Sequence, residues 1–141
     1  MRDGDRRVFR CVEGDTELTA EVIAGAIEVH RALGPGLLES VYQACLREEL
    51  RDRGLTARSE VDVPLVYRGR RVAAAYRVDF IVEQKLVVEL KAVRRLDELH
   101  RAQVLSYLRL LSLPIGLLIN FHVVALRHGI RRVVLDPSRL P

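Results

Sequence analysis

Apolar residues recur along this chain with two different periods, and the change of period marks out the elements. Val22, Ile23, Ala26, Ile27 and Leu33 fall at helical spacing, so a helix is expected from a cap at Thr19 to about Leu33. Gly34-Pro35-Gly36 stops it. A second helix is expected from about Leu37 to Arg53, with Gly54 as its left-handed C-terminal cap. The pattern then reads as strands near Ala57–Tyr67, Val72–Val82 and Lys85–Lys91, with Arg68-Gly69-Arg70 as the first hairpin turn. Asp97 is placed to cap a helix through about Leu111, and Pro114 ends that segment. Ile115-Gly116-Leu117-Leu118-Ile119-Asn120 reads as a buried strand compatible with parallel pairing. Arg131–Val134 adds a last short strand after His128-Gly129. The order is helix, helix, three antiparallel strands, helix, strand, strand. It predicts an α/β fold: a single mixed β-sheet flanked by helices.

Composition narrows this without changing it. A chain of 141 residues fits one domain with a substantial core. The first fifteen residues are polar and rich in Gly and Asp, so residues 1–15 read as a flexible arm before a single domain over 16–141. With 49% hydrophobic and 30% charged residues, wholesale disorder is excluded. No apolar run approaches the roughly 20 residues that cross a bilayer, and Met1-Arg2-Asp3-Gly4-Asp5-Arg6-Arg7 lacks the apolar stretch of a signal peptide. Cys11 and Cys45 show neither metal spacing nor a disulfide framework, and are most simply reduced thiols of a cytoplasmic protein, Cys45 buried in a helix. The formal net charge of +4 leans weakly towards a polyanionic partner.

The candidate chemistry sits in two of the expected strands. Asp79 interrupts the apolar run Tyr76–Val82, and the run Leu86–Lys91 ends in Glu89-Leu90-Lys91. Side chains alternate along a strand, so Glu89 and Lys91 share a face. A hairpin through Glu83-Gln84-Lys85 that pairs residues symmetrically about Gln84 sets Asp79 opposite Glu89. Directly opposed Cβ atoms lie roughly 4.5–5.5 Å apart, where like charges destabilise a sheet unless a counter-charge is supplied. A divalent cation is the usual counter-charge, and a set of hard oxygen ligands favours Mg²⁺ or Mn²⁺. The lysine is informative because the chain uses 21 arginines and only two lysines, Lys85 and Lys91. A compact ammonium group suits a place beside a nucleophilic water better than a guanidinium does. Glu-x-Lys alone is a common tripeptide that usually faces solvent; the Asp79 register and the apolar surroundings together favour a metal-dependent phosphodiesterase site.

Two helical motifs flank these strands. Gly36-Leu37-Leu38-Glu39-Ser40-Val41-Tyr42 opens the second helix, and Glu39 in its first turn is also what the helix dipole alone would favour. His100, Gln103 and Tyr107 form one stripe of the helix that follows Lys91. Such a stripe ordinarily faces water, but the short connection brings this one beside Glu-x-Lys. Gln103 can fix a water or phosphate oxygen, and Tyr107 can bond a phosphate or stack on a base. His100 ranks below both, because a lone helical histidine is more often structural.

The stretch His30–Tyr42, the run Val87-Val88-Glu89-Leu90-Lys91-Ala92-Val93 and the segment Gly116–Phe121 together resemble the GxxExxY proteins of bacteria and archaea. The likeness covers nearly all of residues 18–135, with three motifs in order. It implies membership of the PD-(D/E)XK nuclease superfamily and its restriction-endonuclease-like fold. It maps the metal and catalytic roles onto Asp79, Glu89 and Lys91, and it matches Gln103 and Tyr107 to a QxxxY element. Val78 departs from the pattern, standing where the superfamily's name has proline. The implied activity is Mg²⁺- or Mn²⁺-dependent hydrolysis of nucleic acid, DNA in the first place. In that reading Asp79, Glu89 and the Leu90 carbonyl hold the metal, Glu39 reaches it through water, and Arg94, Arg95 and Arg101 contact phosphate. Two other classes stay open. One is an accessory module that binds nucleic acid or metal without cutting; the other is an interaction domain that forms a homodimer through an apolar helix or edge strand.

Overall fold

Among the described residues three α-helices are laid on the two faces of a sheet whose central strands are mostly apolar. The computed structural model describes residues 3–72 and 76–136, with side chains from Thr16 onward. The side chains of the expected N-terminal arm, residues 1–15, lie outside the described residues. Helix α1 spans Asp3–Leu33 and buries Val22, Ala26 and Val29, one stripe at helical spacing. Thr19 is fully buried within α1 rather than capping its start. Gly34 ends the helix in the left-handed region, where its N–H donates to the His30 carbonyl at 2.7 Å. Helix α2 (Glu39–Asp52) buries Tyr42, Leu46 and Leu50 and closes at Gly54, also left-handed, as expected. Cys45 is only partly buried in α2.

The main sheet has the order β1-β4-β5-β6-β7, where β1 is Ala57–Asp62, β4 Arg77–Val82, β5 Leu86–Lys91, β6 Ile115–Asn120 and β7 Ile130–Val134. Only the β5–β6 pair is parallel, and helix α3 (Glu98–Leu111) makes the crossover between its strands. The single expected strand Ala57–Tyr67 is two strands. Pro64 has no N–H to give a ladder and separates β1 from β2 (Leu65–Tyr67). The expected strand Val72–Val82 also divides, into β3 (Arg70–Val72) and β4. Among the described residues strands β2 and β3 pair only with each other, through a two-residue turn at Arg68-Gly69 with positive φ at both positions.

The sheet separates two apolar layers. Phe80, Val82, Leu86, Val88, Leu90, Leu117 and Ile119 pack with α1 and α2, while Ile81, Val87, Leu118 and Val133 pack with α3. Asp97 caps α3, with its Oδ1 accepting from the N–H groups of Leu99 and His100.

Candidate active site

The β4–β5 hairpin turns through Glu83-Gln84, both with positive φ, and Lys85 N–H donates to the Val82 carbonyl at 3.1 Å. This turn sets the symmetric register: Val82 pairs with Leu86, Ile81 with Val87 and Phe80 with Val88. Asp79 and Glu89 are the next positions, and there the backbone ladder stops. Each carboxylate instead takes a backbone N–H of the opposite strand. Asp79 N–H donates to Glu89 Oε1 at 2.9 Å, and Leu90 N–H donates to Asp79 Oδ2 at 2.8 Å. The strands fork, and two acids fill the fork.

On the other side of Asp79, the regular β1–β4 pairing passes from Ser59–Phe80 to Val61–Val78 and omits Glu60, which has φ 51°. Asp79 is thus freed from regular pairing with both neighbouring strands. The register is the same on both sides of this break, so Glu60 and Asp79 stand opposite each other across it. Glu60 acts electrostatically on Asp79 and raises its pKa further.

Lys91 lies one strand period beyond Glu89. Its Nζ is 3.8 Å from Glu89 Oε2 and donates to Gln103 Oε1 at 3.3 Å. Tyr107 lies one turn further along α3, where Gln103 acts on its hydroxyl, so α3 continues the polar line that β5 begins. Tyr107 is nearly buried, and its ring lies 6.2 Å from that of Tyr76, just before β4. Glu39, in the first turn of α2, comes near enough that Asp79 and Lys91 act on its carboxyl.

Burial and crowding control the charges. Glu89 is 4% exposed, and burial first, then Asp79, push its carboxyl up to about 8. Asp79 is raised by burial, while the Leu90 N–H and Lys91 pull it back. Glu39 is raised by partial burial and then by Asp79. Burial and Asp79 thus favour the protonated form of Glu89, and Lys91 offsets this only in part. Tyr107 is pushed up to about 12 by burial and then by Glu89, and stays a neutral hydroxyl.

The two flanking motifs have structural reasons as well. Tyr42 is fully buried and stacks on Phe121 with ring centroids 4.4 Å apart. Its hydroxyl donates to the Gly34 carbonyl at 2.6 Å and accepts from Leu37 N–H at 3.1 Å, fixing the turn before Glu39. Asn120, 2% exposed, clamps the chain just after Lys91: its Oδ1 accepts from Val93 N–H and its Nδ2 donates to the Val93 carbonyl. Gly129 packs so close to the Asn120 carbonyl that a Cβ there would overlap it.

Asp79, Glu89, Lys91, Glu39, Gln103 and Tyr107 are therefore joined by bonds or mutual charge effects, and Leu90 enters through its N–H. His100 is engaged at Nδ1 by the Asp97 N–H in the cap of α3, and no contact joins it to the carboxylates among the described residues. Arg94, Arg95 and Arg101 are exposed and without an ion pair among the described residues. The sequence reading missed Glu60, Tyr76 and the clamping role of Asn120. A polar crevice of about 190 Å³ beside Glu39 was missed too; Ser40, Gln43, Ala44 and Arg47 line it from α2, with Ser59 and Glu60 from β1.

Family comparison matches residues 16–133 to the PD-(D/E)XK nuclease superfamily. The chain belongs to that superfamily. No curated protein and no solved structure gives a significant match. The mixed five-stranded sheet flanked by helices is the α/β arrangement of the restriction-endonuclease-like fold, and membership suggests an enzyme acting on nucleic acid. Superfamily members generally use divalent metals such as Mg²⁺. In chemistry the donors suit one, since Asp79 and Glu89 offer hard carboxylate oxygens at the fork, although among the described residues no group of three His, Cys, Asp or Glu side chains gathers as a metal site. Among the described residues no helix is long and apolar enough to cross a membrane.

Proposed function

We propose that this protein is a divalent-cation-dependent nuclease that hydrolyses phosphodiester bonds of nucleic acid, DNA in the first place. The observation that carries the reading is the fork. A buried and a half-buried carboxylate replace a rung of the ladder, each takes a backbone N–H of the opposite strand, and burial raises both beside a single lysine. A fold does not keep such a cluster for stability, because burying like charges costs free energy.

Asp79, Glu89 and the Leu90 carbonyl would hold Mg²⁺ or Mn²⁺, with Glu39 supporting it through water. When bound, the cation neutralises charge on the scissile phosphate and lowers the pKa of a water. Lys91, steadied between Glu89 and Gln103, would orient the attacking water and stabilise negative charge that develops on phosphorus-bound oxygens. Gln103 and the neutral Tyr107 hydroxyl would position the strand, and Arg94, Arg95, Arg101 and, at the margin, His100 would contact flanking phosphates. The Gly36, Glu39 and Tyr42 spacing supports placing the chain among the GxxExxY proteins within the superfamily.

The test is incubation of the purified protein with labelled DNA and RNA, single- and double-stranded, in Mn²⁺ or in chelator. Wild type should cut in Mn²⁺ only, and Lys91→Ala should not cut. Equal cutting by both would assign the activity to a contaminant or another site. Binding without cutting by wild type would leave the accessory module as the reading.

A further inference from the structure

The nuclease reading leaves the small β2–β3 sheet without a task. Among the described residues it pairs with no strand of the main sheet, and a lone two-stranded hairpin is marginal in water. All three residues of β3 are exposed, and in β2 Val66 and Tyr67 are 62% and 61% exposed. From Val63 to Val78 the sequence has four arginines, two tyrosines and no acid. Arg77 is already paired with Asp62 at 2.9 Å. Arg68, Arg70 and Arg71 have no acidic partner among the described residues, and all three are exposed.

The base of this hairpin is tied to the site. Val63 N–H donates to the Tyr76 carbonyl at 2.9 Å, and the Tyr76 ring meets that of Tyr107, one turn along α3 from the glutamine that steadies Lys91. An unpaired basic ribbon therefore starts at the edge of the fork. A strand that reaches the fork would run past three guanidinium groups that have no acidic partner among the described residues.

We propose that the β2–β3 hairpin enters the major groove of double-stranded DNA beside the scissile phosphate, which makes duplex DNA the substrate class. The proposal rests on the nuclease reading for the position of that phosphate. The major groove of B-DNA is about 12 Å wide and admits a two-stranded ribbon, whereas the deep, narrow major groove of A-form RNA does not. Single strands are held chiefly by free aromatic faces. Here Arg68 lies over the Tyr67 ring, 5.3 Å from its centroid, so a face of the most exposed aromatic on the hairpin is already covered. Arg68 and Arg70 flank the tip, and Arg71 stands on the strand opposite Val66. The three can reach phosphates, or guanine edges, along the groove.

The experiment measures anisotropy of a labelled DNA duplex, one of its strands, and the RNA duplex of the same sequence, in Mn²⁺. All binding is read in the Lys91→Ala background, where the strand stays whole. The DNA duplex should bind about tenfold or more tighter than either alternative. Adding Arg68→Ser, Arg70→Ser and Arg71→Ser should weaken duplex binding about tenfold or more. The slope of log affinity against log salt should also flatten by about 2 to 3, since each lost phosphate contact removes about 0.9. These side chains are exposed, so circular dichroism and the melting temperature should not change. A second protein, with only Arg70→Ser and Arg71→Ser, should lose about 2 from the slope. An unchanged affinity and slope in both would overturn the hairpin's role, as would equal or tighter binding of the single strand or the RNA duplex. Cleavage by the protein with Lys91 intact is read separately. Tight duplex binding through the arginines without cleavage would sink the nuclease reading and keep the hairpin's, and absence of any binding would sink both.

Discussion

The two ends of the β4–β5 pair are built from the same strands and behave as opposites. At the closed end, Val82 and Leu86 are fully buried and paired across the three-residue connection Glu83-Gln84-Lys85. At the open end, three positions away, Asp79 and Glu89 take over from the ladder with side-chain acceptors. The closed end contributes stability through apolar burial, whereas the open end gives up part of it to keep charge in a low-dielectric cleft. What differs is only which residue types occupy the alternating positions and whether the neighbouring strand continues its pairing. One hairpin can thus be scaffold at one end and reagent at the other.

The comparison breaks most readily at its last regular rung. Phe80 is fully buried between the sheet and α1–α2, so Phe80→Ala should cost about 3–5 kcal/mol in urea unfolding. It should leave the metal-free pH profile of the open end unchanged in shape. A cost below that of any open-end substitution would show that the scaffold lies elsewhere.

The open end should announce itself through pH. Glu89 has its folded pKa raised from 4.5 to about 8, so the folded state binds the proton more strongly than the unfolded chain. Its contribution is fully present below about 4.5 and is lost as pH rises towards 8, by an amount on the order of a few kcal/mol. Metal-free stability should therefore fall between pH 5 and 8, and the raised Asp79 acts in the same direction. Glu89→Gln keeps an oxygen for the Asp79 N–H and removes the charge, so it should flatten the profile and abolish cleavage. A metal-free stability that rises from pH 5 to 8 would contradict the proposed crowding.

Parts of this arrangement were legible in the sequence. The register was, because strand parity and the short connection Glu83-Gln84-Lys85 leave little freedom in the pairing of residues 80–82 with 86–88. The convergence of Gln103 and Tyr107 was, because α3 follows Lys91 after a short connection. The fork itself was not. Opposed acids in a flat ladder and acids that each take the other strand's N–H share one sequence pattern, and only the loss of pairing at Glu60 and Asp79 distinguishes them. The division of the first strand at Pro64 was legible and was overlooked, since a proline cannot donate to a ladder. Thr19 misled because a cap and a buried threonine inside a helix look alike when the preceding residues are polar. Asn120 carried no local signal: its partner, Val93, is 27 residues away.

Smaller effects sharpen the comparison from the helix side. Tyr42→Phe removes the hydroxyl that holds Gly34 and Leu37. It should cost about 1–3 kcal/mol and slow cleavage by loosening Glu39, with Mn²⁺ affinity little changed. Tyr107→Phe should move stability by no more than about 1 kcal/mol, because it deletes one hydroxyl at the rim. It should weaken substrate binding in a way that depends on the nucleic acid offered, measured as KM against kcat.

The central claim is that the fork binds a divalent cation and that Lys91 does not. Calorimetric titration of Mn²⁺ into wild type, Lys91→Ala and Asp79→Ala at one pH tests it most directly. Wild type and Lys91→Ala should give a saturable heat, and Asp79→Ala, folded by circular dichroism, should give none. An equal heat from Asp79→Ala, or no heat from wild type, would contradict the account.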